Sequence, residues 1–314
     1  MLAIAIINYN EYNKTIECIE SIINSNFDNY KIYLLDNGST NDSYIYLAKK
    51  YKNSPRIMLI KSKKNLGYAN GNNLLLKYIE QDGCEYAIIS NNDIIYNKVA
   101  INQLYDKIRK SDYLIVAPQV RLPSGEYQKN NRIKRKSFWD YLLHETYFNK
   151  LFPEKNFSLD ISREVYWVAG CCFIVNMQKF KKIGYFDKNT FLYYEEYIIS
   201  EKALSNKYKL FYDVNAKVIH YHGVSMGDVN VKVFLAHLKS ELYFWRKYRN
   251  ASNLKIIMLY CIRKVEIKIS LYKRKRKKDY KEYKKEAKKI FSKTIRTKKR
   301  KEKMYNTINY TEKI

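Results

Sequence analysis

Short apolar runs alternate with helix-period stretches over the first hundred residues. Leu2–Ile7 is an unbroken run of buried-strand length, and Lys14–Asn24 follows with Ile16, Ile19, Ile22 and Ile23 at helical spacing. The alternation continues with a strand over Lys31–Leu35, a helix over Asp42–Tyr51 and a strand over Arg56–Ile60. A helix over Asn70–Gln81 and a strand over Tyr86–Ser90 complete it. This β-α-β-α-β-α-β rhythm predicts a parallel sheet with helices on both faces. Right-handed crossovers put the C-terminal strand ends along one edge, where ligands of open α/β sheets bind. Three strand ends on that edge are polar: Asn8-Tyr9-Asn10, Asp36-Asn37-Gly38-Ser39 and Asn91-Asn92-Asp93.

The pattern loosens in the second half. Tyr113–Val120 reads as a strand and Leu122-Pro123-Ser124-Gly125 as a turn. Asn130–Phe157 is basic and aromatic and helical in part. Val165–Asn176 is an apolar run around Gly170, and Met177–Lys182 is a short helix that Gly184 ends. Glu195–Tyr208 reads as a helix and Lys209–His220 as one or two strands. From Val231 onward the pattern is helical, with no Gly or Pro to break it. His144 and His237 have no polar company in this pattern and read as structural.

Charge divides the chain more sharply than hydropathy does. Of 314 residues 46% are hydrophobic, enough for a buried core in one large domain or two modest ones. The formal charge is +28, but residues 231–314 hold 28 of the 59 Lys+Arg and 7 of the 31 Asp+Glu, leaving only +7 for residues 1–230. The expected organisation is a globular domain over 1–230 and a basic helical region over 231–314. Five cysteines, an odd number without a CxxC pair, argue against a disulfide framework or a zinc site. The apolar start is too short for a signal peptide, and Leu254–Tyr272 carries five charges, too many for a spanning helix. These features predict a cytoplasmic protein, at most peripheral on a membrane.

Several polar clusters can carry chemistry, and each also has a plain structural use. Asp36 can accept a hydrogen bond from a pyrimidine N3–H or a ribose hydroxyl, or can form an Asx turn leaving a strand. Asn65-Leu66-Gly67-Tyr68-Ala69-Asn70-Gly71-Asn72-Asn73 opens a helix. Its glycines permit close backbone approach and its N-terminus favours phosphate, or it is simply a Gly- and Asn-rich helix entry. It is neither a P-loop nor GxGxxG. Asp93, flanked by Asn91 and Asn92, suits Mg2+ or Mn2+ bridging a diphosphate, or a capped loop. Glu195 and Glu196 are favoured at a helix start by the macrodipole. Alternatively one is a general base whose pKa the other raises. His220 and His222 point opposite ways on an extended segment, so at most one completes a site begun by Asp93.

In order and spacing these motifs resemble family 2 glycosyltransferases of the GT-A fold, in the rhamnosyltransferase-like branch that builds bacterial polysaccharides. The resemblance runs from Ile6-Ile7-Asn8-Tyr9-Asn10 and Leu35-Asp36-Asn37-Gly38-Ser39 through Asn65–Asn73 and Ser90-Asn91-Asn92-Asp93. It continues through Val168-Ala169-Gly170-Cys171-Cys172-Phe173, Ile183-Gly184-Tyr185-Phe186-Asp187 and Phe191-Leu192-Tyr193-Tyr194-Glu195-Glu196. Val218-Ile219-His220 and Gly223-Val224-Ser225 end it. It covers residues 2–228 and implies an α/β, Rossmann-like, mostly parallel central sheet flanked by helices, with the basic helical C-terminal region as an extension.

The resemblance also implies roles. Asn8, Asp36, Asn65, Gly67, Asn70 and Asn92 bind the donor nucleotide, and Gly170 lies where acceptor and donor meet. Glu196 is the catalytic base beside Glu195. Asp93 and His220 hold Mg2+ or Mn2+. The implied reaction is inverting transfer from a UDP- or dTDP-sugar, dTDP-rhamnose among them, to a glycan or lipid-linked acceptor in cell-surface polysaccharide synthesis. Three departures stand out: the metal motif is Asn-Asn-Asp with one carboxylate, the base is Glu where Asp is common, and Ile198 replaces a usual Asp.

The tail lies outside the resemblance. Leu254, Ile257, Cys261, Val265, Ile269 and Tyr272 fall near one helical face, with Lys255, Arg263, Lys264 and Lys268 around it and six basic residues at Lys273–Lys278 beyond. An amphipathic basic helix beside a polybasic cluster fits an anionic membrane surface, here the inner face of the cell membrane. A solvated charged helix and a nucleic-acid-binding tail are the competing readings, and no RNA- or DNA-reading signature supports the second. A nucleotidyltransferase is the other alternative for the body. The absence of a Gly-rich, Lys-containing phosphate loop near the N-terminus argues against it.

Overall fold

The computed structural model describes residues 1–128, 131–153, 159–221 and 231–311, with side chains to residue 296. His222 and the Gly223-Val224-Ser225 motif lie outside the described residues. The chain divides into two compact units, Met1–Arg135 with Asn156–Gly227 and Lys136–Lys155 with Asp228–Ile314.

The first unit opens with the expected alternation. β1 (Leu2–Asn8), α1 (Tyr12–Ile23), β2 (Tyr30–Asp36), α2 (Ser43–Tyr51), β3 (Ile57–Lys61), α3 (Gly67–Gln81) and β4 (Tyr86–Asn91) each lie within a few residues of the bounds the pattern predicts. Then come β5 (Ile94–Tyr96), α4 (Ala100–Arg109), β6 (Ile115–Arg121) and β7 (Asn131–Arg132). After the second unit's first segment the chain returns with β8 (Arg163–Val165), β9 (Trp167–Val168), β10 (Cys172–Asn176), α6 (Met177–Lys182), α7 (Glu195–Ser205) and β11 (Leu210–His220).

The main sheet has the order β3-β2-β1-β4-β10-β6-β11-β5, with β8 also paired to β11. β1, β2, β3 and β4 are mutually parallel, while β10 runs antiparallel between β4 and β6. β2 and β3 lie on one side of β1 and β4 on the other, so the chain reverses its winding at β1. A topological switch of this kind opens a crevice at the strand C-terminal ends.

Strand period two explains why the strands read as continuous apolar runs. Leu2, Ile4 and Ile6 face one core with Cys18, Ile19 and Ile22 of α1, and Ala3 and Ala5 face another with Leu75, Leu76 and Ile79 of α3. Both faces are covered, so no polar alternation survives. Cys18, Cys84, Cys171 and Cys172 are buried free thiols.

The second unit contains α5 (Phe138–His144), a 3-10 turn over Tyr147–Lys150, and the helices α8 (Val231–Lys247), α9 (Asn253–Lys273) and α10 (Lys277–Thr311). A capping box starts α5, Ser137 accepting from Asp140 N and Asp140 from Ser137 N. Its interior holds an ion cluster that the periodicity does not announce. Glu241 is fully buried, accepting from Arg263 Nε at 2.9 Å and from Tyr141 OH at 2.5 Å. Burial is the largest single influence and would raise the Glu241 pKa, but the Arg263 and His237 charges with the hydrogen bonds from Arg263 and Tyr141 together outweigh it and hold the carboxyl below its usual range. Arg263 also donates to Glu266 Oε2 at 2.6 Å and to Glu145 O at 2.9 Å. Two expectations are corrected here. Arg263 points inward rather than edging the apolar face of α9, because two buried carboxylates require it. His237 does have polar company, since Nδ1 lies 4.0 Å from Glu241 Oε2. No helix among the described residues is long and apolar enough to cross a membrane.

Candidate active site

The ends of β1, β2 and β4 are tied into one hydrogen-bonded network. Parallel register sets Asn8 beside Asp36, and Asn8 Nδ2 donates to Asp36 Oδ1 at 2.9 Å and to Ser39 Oγ at 3.2 Å. Thr15 Oγ1 donates to Asn8 Oδ1 at 2.8 Å, and Asn92 Nδ2 donates to Thr15 Oγ1 at 2.9 Å. Asp36, Asn8, Thr15 and Asn92 thus form a chain across the switch point. Both ends of the Asn8 amide are engaged within the protein, so Asn8 fixes the Asp36 carboxylate. Thr15 belongs to none of the sequence motifs. Its signal there is faint, one hydroxyl on the otherwise apolar inner face of α1.

Gly38 makes the turn after Asp36 with φ +75, and an added Cβ would overlap the backbone of Lys64 and Asn65. Gly38→Ala therefore meets both an unfavourable dihedral and a backbone it cannot displace. Urea unfolding is expected to show a loss of about 2–3 kcal/mol. An unchanged midpoint would mean that this turn relaxes freely.

The Asn- and Gly-rich start of α3 serves largely to clamp another loop. Asn65 Oδ1 accepts from Gly67 N at 2.8 Å, and Asn37 Oδ1 accepts from Leu66 N at 3.0 Å. Gly67 (φ +77) has no room for a Cβ because Phe191 lies against it, and Tyr68 N donates to Phe191 O at 2.8 Å. Asn70 Nδ2 donates to Leu66 O at 3.4 Å and Lys188 O at 3.3 Å. Asn73 exchanges hydrogen bonds with the Phe186 backbone at 3.0 and 3.1 Å. Gly67, Asn70 and Asn73 thereby brace the segment that leads into Glu195 and Glu196, while Asn65 shapes the entry to α3.

That segment ends under strain. Tyr193 and Tyr194 both have φ +70, a left-handed conformation that costs a non-glycine residue roughly 1–3 kcal/mol. Immediately after, α7 begins with the two carboxylates. Gly170 N donates to Glu196 Oε1 at 2.9 Å, and a Cβ on Gly170 would overlap that carboxylate. Tyr68 OH donates to Gly170 O at 2.6 Å and fixes the other side of the peptide. Tyr68 lies within the Asn65–Asn73 motif, where an aromatic residue gives no sequence signal of this role.

Burial is the chief cause that raises the Glu196 pKa, against the lowering hydrogen bonds from its own N–H and that of Gly170. Glu195 is buried, its Oε1 has no hydrogen-bond partner, and burial together with the Glu196 charge pushes its pKa up to about 8. The two carboxyls titrate as a pair, because burial disfavours two negative charges side by side.

Asp93 and His220 meet across the β5–β11 pair, where His220 registers with Ile94. His220 Nε2 lies 3.2 Å from Asp93 Oδ1, and Nδ1 lies 2.8 Å from Gln128 Oε1, which orients the ring. Asp93 Oδ1 is buried and accepts no hydrogen bond. A buried carboxylate oxygen without a donor, facing an imidazole nitrogen, fits a divalent cation. No cluster of three or more His, Cys, Asp or Glu side chains suited to a metal occurs among the described residues.

Cys171 links the two halves of the site. Its N-terminal neighbour Gly170 holds Glu196, its carbonyl accepts from Asn91 N at 2.8 Å, and burial pushes its thiol pKa up with the help of charge on Asp93 and Glu196. The structure therefore brings Asp93, His220, Gly170, Glu195 and Glu196 to the same sheet edge as Asn8, Asp36 and Asn92.

The model of glycosyl transferase family 2 matches residues 3–184, more than half of the chain. An N-acetylglucosaminyl-diphospho-decaprenol L-rhamnosyltransferase of Mycobacterium tuberculosis is 24% identical over 233 residues, covering 68% of this chain and 73% of that protein. GalNAc-T7, solved with UDP, GalNAc and Mn2+, superposes with a TM-score of 0.58 at 14% identity. The match covers 79% of this chain and 49% of that one, so the chain spans about half the length of that relative. S. aureus TarS 1-349 in complex with UDP-GlcNAc gives a TM-score of 0.52 at 14% identity, covering 83% of this chain and 71% of that one. The chain belongs to glycosyl transferase family 2 and is a glycosyltransferase with a GT-A fold and a helical C-terminal extension.

Proposed function

We propose that this enzyme transfers a sugar, with inversion, from a UDP- or dTDP-sugar to a hydroxyl of a glycan or lipid-linked acceptor in cell-surface polysaccharide synthesis. The observation that carries this reading is the Glu196 carboxylate, anchored by Gly170 N–H at the strand edge that also holds Asp93. Glu196 accepts the proton of the acceptor hydroxyl. The acceptor oxygen bonds to the anomeric carbon as the bond from that carbon to the diphosphate oxygen breaks, and the electron pair leaves with the nucleoside diphosphate. One displacement from the opposite face inverts the centre and needs no covalent enzyme intermediate. Burial and the Glu196 charge favour the neutral form of Glu195, which disfavours a second charge beside the base. Asp36, held by Asn8 and Ser39, faces the nucleoside. Asp93 and His220 would hold Mg2+ or Mn2+, which when bound neutralises charge on the departing diphosphate. In this reading residues 1–230 form the catalytic domain and residues 231–314 its basic extension.

Thermal shift against UDP- and dTDP-sugars, with Mn2+ and with chelator, tests the donor assignment. Ligand at about 100 times its Kd is expected to add about 2.7 kcal/mol, a rise of several degrees. Asp93→Ala should abolish the Mn2+-dependent part. No response to any pyrimidine diphosphate sugar, or an undiminished response in Asp93→Ala, defeats the reading.

A further inference from the structure

α9 exposes an apolar stripe. Leu254 is 67% exposed, Val265 54%, Tyr272 44% and Ile257 42%, while Ile256, Leu259 and Leu271 on the opposite side are buried. The helix is thus apolar on two sides, one packed within its unit and one open. A helix hydrophobic all round is normally covered on every side.

The charges around the stripe have one sign. Lys255, Lys264 and Lys268 border it, and largely exposed basic residues at Lys273–Lys278 follow its C-terminus. The helix's sole acidic residue, Glu266, is buried and paired with Arg263, so no carboxylate of α9 faces outward. A second apolar set lies in the same unit. Trp139, Phe148, Leu151 and Phe152 are each more than 40% exposed, and the turn that bears Phe148 is tied to α9 by Tyr147 N donating to Glu266 Oε1 at 2.5 Å.

We infer that the open face of α9 is an interfacial membrane-binding surface, and that its partner is an anionic lipid bilayer. Cations flanking exposed aliphatic and aromatic side chains match a surface of negative headgroups over hydrocarbon. The inference is independent of the transferase chemistry.

Vesicle flotation of the full chain tests it, using phosphatidylcholine alone and phosphatidylcholine with about 30% phosphatidylglycerol. Wild type is expected to float with the anionic vesicles and to be released progressively as salt rises. Leu254→Asp with Val265→Asp, both at exposed positions, should lower partitioning more than 10-fold while leaving the melting temperature unchanged. Lys264→Gln with Lys268→Gln should lower it about 25-fold on anionic vesicles and leave binding to neutral ones unaltered. Equal flotation on neutral and anionic vesicles, or wild-type flotation of the Asp variant, overturns the inference. So does a stable dimer that the Asp variant dissolves without any vesicle binding, which would make the stripe a contact between copies. Retention on oligonucleotide without flotation overturns it in favour of nucleic acid.

Discussion

Glu196→Gln is expected to lower kcat by about 10³-fold while leaving donor binding within a few fold of wild type. The amide keeps the shape of the side chain and can still accept from Gly170 N–H, so the fold and the Gly170 contact survive. Only the capacity to take a proton is lost. Glu195→Gln provides the contrast. Burial and the Glu196 charge both favour the neutral form of Glu195, so a neutral isostere should cost less than about 10-fold. The pair also sets a pH dependence. Burial raises the Glu196 pKa, so the acid limb of kcat/KM should lie above the usual carboxylate range, with activity gained as pH rises through it and lost below it. That limb should vanish from the residual activity of Glu196→Gln. Normal turnover by Glu196→Gln would mean that another group is the base.

Gly170→Ala is expected to lower kcat by about 10²-fold or more with little change in stability. The new methyl would occupy the space of the Glu196 carboxylate, so the carboxylate must move while the backbone stays. Displacing a reacting group by about 1 Å costs roughly 10²-fold. Gly170 does not need a left-handed dihedral, which separates this effect from backbone strain. Circular dichroism and the nucleotide-sugar thermal shift should match wild type. Full activity would show that the carboxylate reacts from a different position.

Much of the sheet was legible because each parallel strand is a short apolar run between helix-period segments. Its wiring was less so. The apolar run around Phe173 and Ile174 announces a strand, but nothing local says that it inserts antiparallel between β4 and β6. That insertion brings Gly170 to Glu196. The Asp93–His220 pairing likewise depends on β5 meeting the end of β11, a contact between distant segments. Thr15 went unnoticed because a lone hydroxyl on a helix is common, and its use appears only when Asn8 and Asn92 lie on either side of it. Asn70 has a structural use that its motif does not announce, its amide donating to backbone carbonyls of the α3 entry and of the following loop. Arg263 misled for a related reason: periodicity places a side chain on a face but does not reveal the buried carboxylates that turn it inward. The stretch Asn130–Phe157 shows its aromatic content in the sequence but not which of those side chains stay exposed, because exposure follows from packing.

The cysteines turn the open face of α9 into something directly observable. Four of the five thiols are buried, and burial raises their pKa values away from the reactive thiolate. Cys261 is exposed and lies on the same helical face as Leu254 and Val265. The unmodified chain therefore carries a single accessible address for a maleimide fluorophore. A polarity-sensitive dye placed there would change colour when that face leaves water, without any engineered mutation.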